Sequence, residues 1–337
     1  MKILENYQLL KLNTFQIDAS AKYFVEVSTQ EEIETAIDFA KAKREKILIL
    51  GGGSNILFTK DFDGLIIKPI NSGISVVDED DINCIIEINS GQKWDCVVSY
   101  ATENELYGIE NLAGIPGDTG AAPIQNIGAY GVEIKDALES LCGFDYKENK
   151  WKRLFNHDCQ FGYRNSIFKH ELKNSFFIYS IRLRLSKENK INLEYSNIKD
   201  YFKENLEKIS SKKIADVIRS IRSSKLPSPQ ILGNAGSFFK NPIVTIEKYN
   251  LIKKDFNSMP SFIVNNEYCK IPAGWLIEMA GFKGKKFGNV GCYEKQSLII
   301  VNFGKATGLE VLEFSQKIKS EVKNKFDIEL EYEVNIE

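Results

Sequence analysis

The chain has 337 residues, of which 43% are hydrophobic and 27% are charged, and its formal net charge is −2. This length predicts two or three domains of ~100–150 residues, and the near-neutral charge argues against nucleic acid or an anionic membrane as a partner. No run of ~18 apolar residues occurs and the first residues lack the apolar core of a signal peptide, so we expect a cytoplasmic protein with no membrane partner.

The six cysteines are scattered along the chain, with no close CxxC pair and no histidine at the spacing of a zinc site. Such a pattern is typical of reduced thiols, mostly buried, in a reducing compartment. The sequence therefore predicts neither a disulfide framework nor a metal site.

The first segment alternates helix and strand. Thr29 and Glu32 have the spacing of a helix capping box, and apolar residues follow at helical intervals through residues 33–40. Short apolar strands are predicted at residues 46–50 (KILIL) and 64–69 (GLIIKP), and the glycine-rich stretch GGGSN follows the first of them.

A second unit is predicted to begin near Asn71. Its expected elements are a strand at residues 84–91, an amphipathic helix at 94–106, a strand at 140–146 and a period-two strand at 176–186. Residues 110–131 contain too many glycines and prolines for regular structure throughout. A loop and a helix are expected between residues 186 and 213.

The last segment opens with a basic amphipathic helix within residues 212–229 that Pro227 stops. A second capping box, Thr307 with Glu310, begins an amphipathic helix, and the alternating tail at residues 327–336 predicts a strand. This mixture predicts an α+β fold without a single doubly wound sheet.

Two glycine-rich stretches stand out, GGGSN at residues 51–55 and GIPGDTGAAPIQNIGAYG at residues 114–131. Glycines after a strand allow several backbone N–H groups to point at one anion, although a plain tight turn explains GGGSN alone equally well. Together the two stretches suggest the two sides of a diphosphate cradle. Neither contains GxGxxG or GxxxxGK[ST], which excludes the Rossmann and P-loop interpretations.

Seven short motifs occur in a fixed order: NTF, ILGGGSN, IPGDTGAAPIQNIGAYG, FGYRNSIFK, KLP, GNAGSFFKNP and PAGWLIE. In this order they resemble the UDP-N-acetylenolpyruvoylglucosamine reductase (UDP-N-acetylmuramate dehydrogenase) family of bacterial peptidoglycan synthesis, in its subgroup with a tyrosine loop. The resemblance extends from about residue 13 to residue 333.

The resemblance implies a vanillyl-alcohol-oxidase-type (PCMH-type) FAD-binding region of two subdomains, followed by a smaller α+β substrate-binding domain. The expected boundaries are residues 1–71 and 72–215 for the subdomains and 216–326 for the substrate domain, with the tail 327–337 packed back on the first subdomain. A monomer is expected.

The reaction implied is the NADPH-dependent, FAD-mediated reduction of UDP-N-acetylglucosamine enolpyruvate to UDP-N-acetylmuramate. Neither glycine stretch contains the histidine or cysteine that tethers FAD in some relatives, so non-covalent FAD is expected. The cofactor-binding positions carried over from the family are Gly51, Gly52, Gly53, Ser54, Asn55, Pro116, Gly117, Gly120, Ala121, Gln125, Asn126, Gly128 and Ala129.

The resemblance assigns three catalytic positions. Ser237 is the expected proton donor, Arg164 the partner of the substrate carboxylate, and Glu333 a residue that assists the same charge development. Without the family, the same residues would be interpreted as a loop serine, a surface ion pair and a solvent-facing glutamate. The substrate-binding positions carried over are Tyr130, Tyr195, Arg222, Lys225, Asn241 and Gln296.

Three positions depart from the family pattern: Gln16 replaces a glycine, Tyr332 a proline and Tyr293 a common histidine. Two alternatives remain open at this point. An FAD oxidase acting on a sugar, lactone or alcohol would be yellow and react fast with oxygen. A non-catalytic nucleotide-binding module would be colourless.

Overall fold

A computed structural model of the chain describes residues 1–192, 201–202 and 209–337. The chain divides into two compact units. The first consists of Met1–Tyr7, Ala21–Gly52 and Asp63–Arg222, and the second of Gln8–Ser20, Gly53–Phe62 and Ser223–Glu337. Each unit is therefore assembled from segments that are distant in sequence.

The strands are β1 (Leu4–Gln8), β2 (Ser20–Val27), β3 (Lys46–Ile49), β4 (Ile56–Leu57), β5 (Phe62–Pro69), β6 (Ile74–Glu79), β7 (Asn83–Asn89), β8 (Gly128–Ala129), β9 (Val132–Glu133), β10 (Leu138–Asp145), β11 (Lys150–Phe155), β12 (Phe176–Ser186), β13 (Gly233–Ser237), β14 (Ile243–Thr245), β15 (Phe262–Ile263), β16 (Tyr268–Lys270), β17 (Lys286–Phe287), β18 (Val290–Cys292), β19 (Ile299–Asn302) and β20 (Asn335–Ile336).

The α-helices of the described ranges are α1 (Gln30–Lys43), α2 (Trp94–Glu103), α3 (Ser211–Lys225), α4 (Ile246–Lys253), α5 (Ala273–Met279) and α6 (Gly308–Phe326). Short 3-10 helices lie at Leu10–Leu12, Glu110–Leu112, Thr119–Ala121, Ile134–Asp136, Asn156–Cys159 and Ile167–Lys169. The helices and strands predicted before residue 186 are confirmed, with ends that differ by at most a few residues.

The first unit contains a four-stranded sheet of order β1-β2-β5-β3 and a five-stranded sheet of order β11-β10-β12-β7-β6. The Thr29–Glu32 capping box begins α1 as predicted. This helix buries Ile33, Ala36, Ile37 and Ala40 against the first sheet. In β12 the predicted period of two is confirmed, because Ile181, Leu183 and Leu185 are buried.

The second unit contains sheets of order β13-β19-β18-β17, β14-β16-β15 and β20-β4. Its longest helix, α6, begins at the predicted capping box of Thr307 with Glu310. The helix buries the expected face of Val311, Phe314, Ile318 and Val322.

The prediction of one strand at residues 327–336 is wrong. Tyr332 forms an isolated bridge with Phe239, and only Asn335–Ile336 forms a strand, which pairs in parallel with Ile56–Leu57. The tail exchanges one backbone partner for another within a few residues, so no continuous hydrogen-bond ladder forms.

Two departures from the family pattern are accommodated locally in the second unit. Gln16 has a φ of 56°, the left-handed conformation that glycine adopts most easily, so the turn is kept. The ring of Tyr332 stacks on Phe239 at 5.5 Å between centroids, and its hydroxyl lies 3.1 Å from Ser315 Oγ. Tyrosine is therefore packed where proline would be usual.

Candidate active site

The two glycine stretches meet inside the first unit. A Cβ on Gly52 would lie 2.9 Å from the Cα of Gly117, and a Cβ on Gly51 would lie 3.5 Å from the Cβ of Ala121. The first distance is shorter than real Cβ contacts, so only glycine allows this approach at residue 52. The lack of side chains brings the backbones of the two stretches into direct contact.

Several backbone donors at this contact have no partner among the described residues. The N–H groups of Gly51, Gly52 and Gly117 donate to no residue in the described ranges. These three residues are half-buried, and a group of neighbouring backbone N–H groups can bind a ligand with several acceptors. A diphosphate has that chemistry, and these donors fit it.

The end of GGGSN belongs to the second unit. Gly53 has a φ of 63°, and a Cβ there would lie 1.9 Å from the carbonyl oxygen of Leu12. Its own carbonyl accepts from Thr14 N at 3.0 Å. After the half-buried Ser54, the Asn55 side chain donates to the carbonyl of Glu333 at 3.2 Å. This part of the motif fixes chain segments to each other.

Residues of the second stretch divide into exposed and buried positions. Pro116 and Ala121 are exposed, and Gln125 and Ala129 are half-buried. The buried Asn126 donates to Glu133 Oε2 at 2.8 Å and to the carbonyl of Gly162 at 3.0 Å. A Cβ on Gly120 would lie 2.6 Å from Ser90 Cβ. Asn126 therefore holds the stretch in place by its hydrogen bonds, and the missing side chain of Gly120 allows the close approach to Ser90.

Arg164 lies in a tight turn that Gly162 and Asn165 close with mutual backbone hydrogen bonds. Its Nη2 donates to the carbonyl of Gly128 at 2.6 Å, and its Nη1 to that of Asn126 at 3.3 Å. Its φ is 51°, and Asn126 and Tyr130 also have positive φ. Non-glycine residues in this conformation are uncommon and concentrate at functional sites.

Arg222 contacts the other end of the same stretch. Its Nε donates to the carbonyl of Gly114 at 3.1 Å, while Gly114 N donates to Asp95 Oδ1 at 2.7 Å. Burial lowers the pKa of the Arg222 guanidinium, and the charge of nearby Arg164 lowers it further. Within the first unit, the residues 114–131 thus have two guanidinium groups against them.

The other basic position, Lys225, is the exposed last residue of α3. Tyr195 lies outside the described residues. In the second unit, Asn241 Oδ1 accepts from Ala273 N at 2.8 Å, and Gln296 Oε1 would lie 2.8 Å from a Cβ on Gly274. Asn241 and Gln296 therefore both lie at the start of α5.

Ser237 ends β13 directly after a bulge. The pairing with β19 shifts register between Asn234 and Ser237, and Gly236 has a φ of 69°. No atom of the described residues would lie within 4 Å of a Cβ on Gly236. The half-buried Ser237 hydroxyl makes no hydrogen bond to any described residue. A bulge commonly redirects a side chain, and this one is followed directly by the Ser237 hydroxyl.

Glu333 lies next to the Ser237 strand in the second unit. Its N–H donates to the carbonyl of Phe238 at 3.0 Å, and the neighbouring Lys240 N donates to the carbonyl of Glu331 at 2.9 Å. The tail therefore runs beside residues 238–240, which brings Glu333 near Ser237 in the backbone pairing.

Sequence reasoning missed a charged cluster beside the first glycine stretch. Asp118 is buried, and its carboxylate lies 2.6 Å from Lys93 Nζ and 4.0 Å from Lys68 Nζ. Lys68 Nζ in turn donates to the carbonyl of Gly51 at 3.2 Å. The only sequence signal was an aspartate inside an otherwise uncharged glycine stretch.

Within the described ranges, no group of three acidic, histidine or cysteine side chains could hold a metal ion. None of the helices there combines the length and the apolar composition needed to cross a bilayer.

Two family models match the chain. The C-terminal domain of UDP-N-acetylenolpyruvoylglucosamine reductase matches residues 227–337, and an FAD binding domain matches residues 21–145. UDP-N-acetylenolpyruvoylglucosamine reductase of Flavobacterium johnsoniae is 44% identical, with 100% of both chains covered. That of Amoebophilus asiaticus is 42% identical, covering 100% of this chain and 99% of the relative.

A similar fold occurs in the crystal structure of UDP-N-acetylenolpyruvylglucosamine reductase from Thermus caldophilus, with a TM-score of 0.68 at 21% identity over 99% of this chain and 98% of that one. The predicted α+β fold class with its FAD-binding region is confirmed. Because relatives above 40% identity match over the full chain, the chain belongs to the UDP-N-acetylenolpyruvoylglucosamine reductase family.

Proposed function

We propose that the chain reduces UDP-N-acetylglucosamine enolpyruvate to UDP-N-acetylmuramate, with NADPH as the reductant and FAD as the resident cofactor. The observation that carries the cofactor assignment is the set of N–H groups at Gly51, Gly52 and Gly117 that donate to no described residue, where a Cβ on Gly52 would force the two glycine stretches apart. The full-length relatives carry the name of this reductase.

Bound FAD would supply the hydride chemistry that links NADPH to the terminal methylene of the enolpyruvyl group. The chain's part in cofactor binding is to offer backbone donors to the diphosphate of FAD. Neither glycine stretch contains a histidine or cysteine that could form a tether. We therefore propose that FAD is held without a covalent bond, so that acid or heat releases all flavin from the polypeptide.

Hydride addition next to a carboxylate builds negative charge on that carboxylate. We assign its stabilisation to Arg164, because a guanidinium matches a carboxylate with two parallel donors. The contacts of Arg164 with the carbonyls of Gly128 and Asn126 fix its orientation before the substrate arrives. Glu333 is assigned an assisting role in the same charge development.

The carbon next to the substrate carboxylate must then receive a proton. We assign this step to Ser237, whose hydroxyl is free of hydrogen bonds to the described residues. A hydroxyl is a weak acid, but the enolate-like species is a strong base, so the transfer needs no histidine. A serine that only stabilised its own loop would bond the loop backbone.

The uridine diphosphate of the substrate requires cations. We assign Arg222 and Lys225 to it, with Tyr130, Tyr195, Asn241 and Gln296 as further substrate-side positions. Only Nε of Arg222 donates to a described residue, which leaves its terminal Nη groups for an anion.

The same proposal includes the boundaries 1–71 and 72–215 for two FAD-binding subdomains and 216–326 for a substrate domain. It also includes a monomeric state and a cytoplasmic location with access to NADPH.

The decisive experiment mixes the purified protein anaerobically with NADPH and then with the enolpyruvyl sugar nucleotide, while the flavin absorbance is recorded. We expect bleaching after the first addition and recovery after the second, with parallel initial-rate lines because both substrates use one cleft. Recovery with oxygen but not with the sugar nucleotide would indicate an oxidase. A colourless protein that binds no FAD would indicate a non-catalytic module.

A further inference from the structure

Lys68 at the end of β5 is a half-buried cation that contacts the backbone of the first glycine stretch. Its side chain is 17% exposed, and its Nζ donates to the carbonyl of Gly51 at 3.2 Å. Asp118 Oδ2 lies 4.0 Å from the same Nζ. A lysine at a strand end usually extends into water, so this inward position requires an explanation.

The peptide bond between Gly51 and Gly52 explains the inward position of Lys68. In a trans peptide the carbonyl oxygen and the following N–H point in opposite directions. A hydrogen bond that draws the Gly51 carbonyl to Lys68 therefore turns the Gly52 N–H to the other side. That N–H is one of the donors without a partner among the described residues.

Lys68 in turn depends on Asp118. Burial lowers the pKa of the Lys68 ammonium, and the Asp118 carboxylate opposes this effect. A buried ammonium without a counter-ion is strongly disfavoured. Asp118 is also close to the glycines, because its Oδ1 would lie 3.4 Å from a Cβ on Gly52.

We propose that Lys68 is a positioning residue for the FAD diphosphate, acting through the Gly51–Gly52 peptide, with Asp118 as the counter-ion that keeps Lys68 in place. This inference rests on the proposed FAD-dependent function. It assigns a role to two side chains that are not among the cofactor-binding positions carried over from the family.

Lys93 provides a matched control for charge. It has the same charge as Lys68 and contacts the same carboxylate at 2.6 Å, but its side chain is 61% exposed. Its ammonium donates to Asp118 and to no glycine carbonyl in the described part of the chain. Lys68→Met and Lys93→Met therefore remove equal charge, and only the first removes the contact with Gly51.

In the test, each apoprotein is titrated with FAD at about 0.15 M salt, with flavin fluorescence as the signal. The rate of FAD dissociation from each holoprotein is measured as well. We expect Lys68→Met to weaken FAD binding about 10–100-fold, as for loss of a charged hydrogen bond. We expect Lys93→Met to change it less than about threefold, since an exposed charge is screened. Lys68→Arg, which keeps a donor, should recover most of the loss.

Equal losses in Lys68→Met and Lys93→Met would overturn the proposal, since charge alone would then explain them. Asp118→Asn should give an intermediate loss, and an unchanged dissociation constant would remove Asp118 from the arrangement. If Lys68→Met does not fold, the FAD affinities of Lys68→Arg and Asp118→Asn test the proposal instead. Wild-type affinity in Asp118→Asn would then contradict the inference. A wild-type protein that binds no FAD would instead contradict the proposed function.

Discussion

The glycine cradle of the first unit and the Ser237 strand of the second unit serve the proposed reaction with different parts of the chain. The cradle offers several backbone N–H groups, and its shape depends on the absence of side chains. The Ser237 strand offers one hydroxyl, which follows a bulge and makes no hydrogen bond to any described residue. A charged cofactor can share its binding among many donors, whereas a proton transfer depends on a single atom.

The largest expected effect follows from removal of the Ser237 hydroxyl. Ser237→Ala should slow the sugar-nucleotide half-reaction by about 10²–10⁴-fold, as for loss of a positioned general acid. The NADPH half-reaction should stay nearly normal because it needs no proton on the sugar. Stopped-flow absorbance, with the two half-reactions measured separately, tests this prediction.

Ser237→Cys is the matched variant, since a thiol still carries a proton and should recover part of the rate. If alanine slows both half-reactions equally, or neither, Ser237 is a loop residue and the proton comes from another group.

FAD affinity should depend more on the close approach of the two glycine stretches than on any single N–H donor. Gly52→Ala places a methyl group 2.9 Å from Gly117 Cα, so the two backbones must separate. We expect FAD affinity to fall about 10–100-fold, in line with the cost of overpacking. Gly51→Ala, whose Cβ meets neighbours at 3.5 Å or more, is the control. Equal FAD dissociation constants for the two variants would show that space between the stretches does not control binding.

A smaller effect is expected at the two basic positions of α3. Arg222→Ala should weaken binding of the sugar nucleotide about tenfold, as for a charge-assisted contact. Lys225→Ala should weaken it about twofold, with a loss that disappears at high salt, because that side chain is exposed. Calorimetric titration at two salt concentrations separates the two contributions. Wild-type affinity in both variants would remove these residues from the diphosphate site.

The smallest effect is expected at Gly236, where glycine is favoured by the positive φ and not by close neighbours. Its φ is 69°, and no atom of the described residues would lie within 4 Å of a Cβ at this position. Gly236→Ala should therefore lower the free energy of unfolding by about 1 kcal/mol, the strain of a left-handed alanine. FAD affinity should stay unchanged. Urea denaturation measures the first quantity, and a loss of several kcal/mol would mean that the side chain meets atoms elsewhere.

Local patterns were sufficient for much of the fold. The capping boxes at Thr29 and Thr307 and the alternation along β12 act between residues close in sequence, so their outcome could be predicted and is confirmed. The tail was mispredicted because alternation cannot indicate which strand supplies the partner. Here the partner changes from residues 238–240 to Ile56–Leu57.

The sequence by itself determined the family, the two glycine stretches and the candidate residues, because those depend on residue identity and order. The tertiary structure alone decided which glycine N–H groups have no partner among the described residues and which side chains contact the same peptides. Lys68 and Gly51 are 17 residues apart, and Asp118 is further along the chain still. Contacts of this kind arise from how β5 packs beside β3 and from where residues 114–131 lie, and no local propensity encodes them.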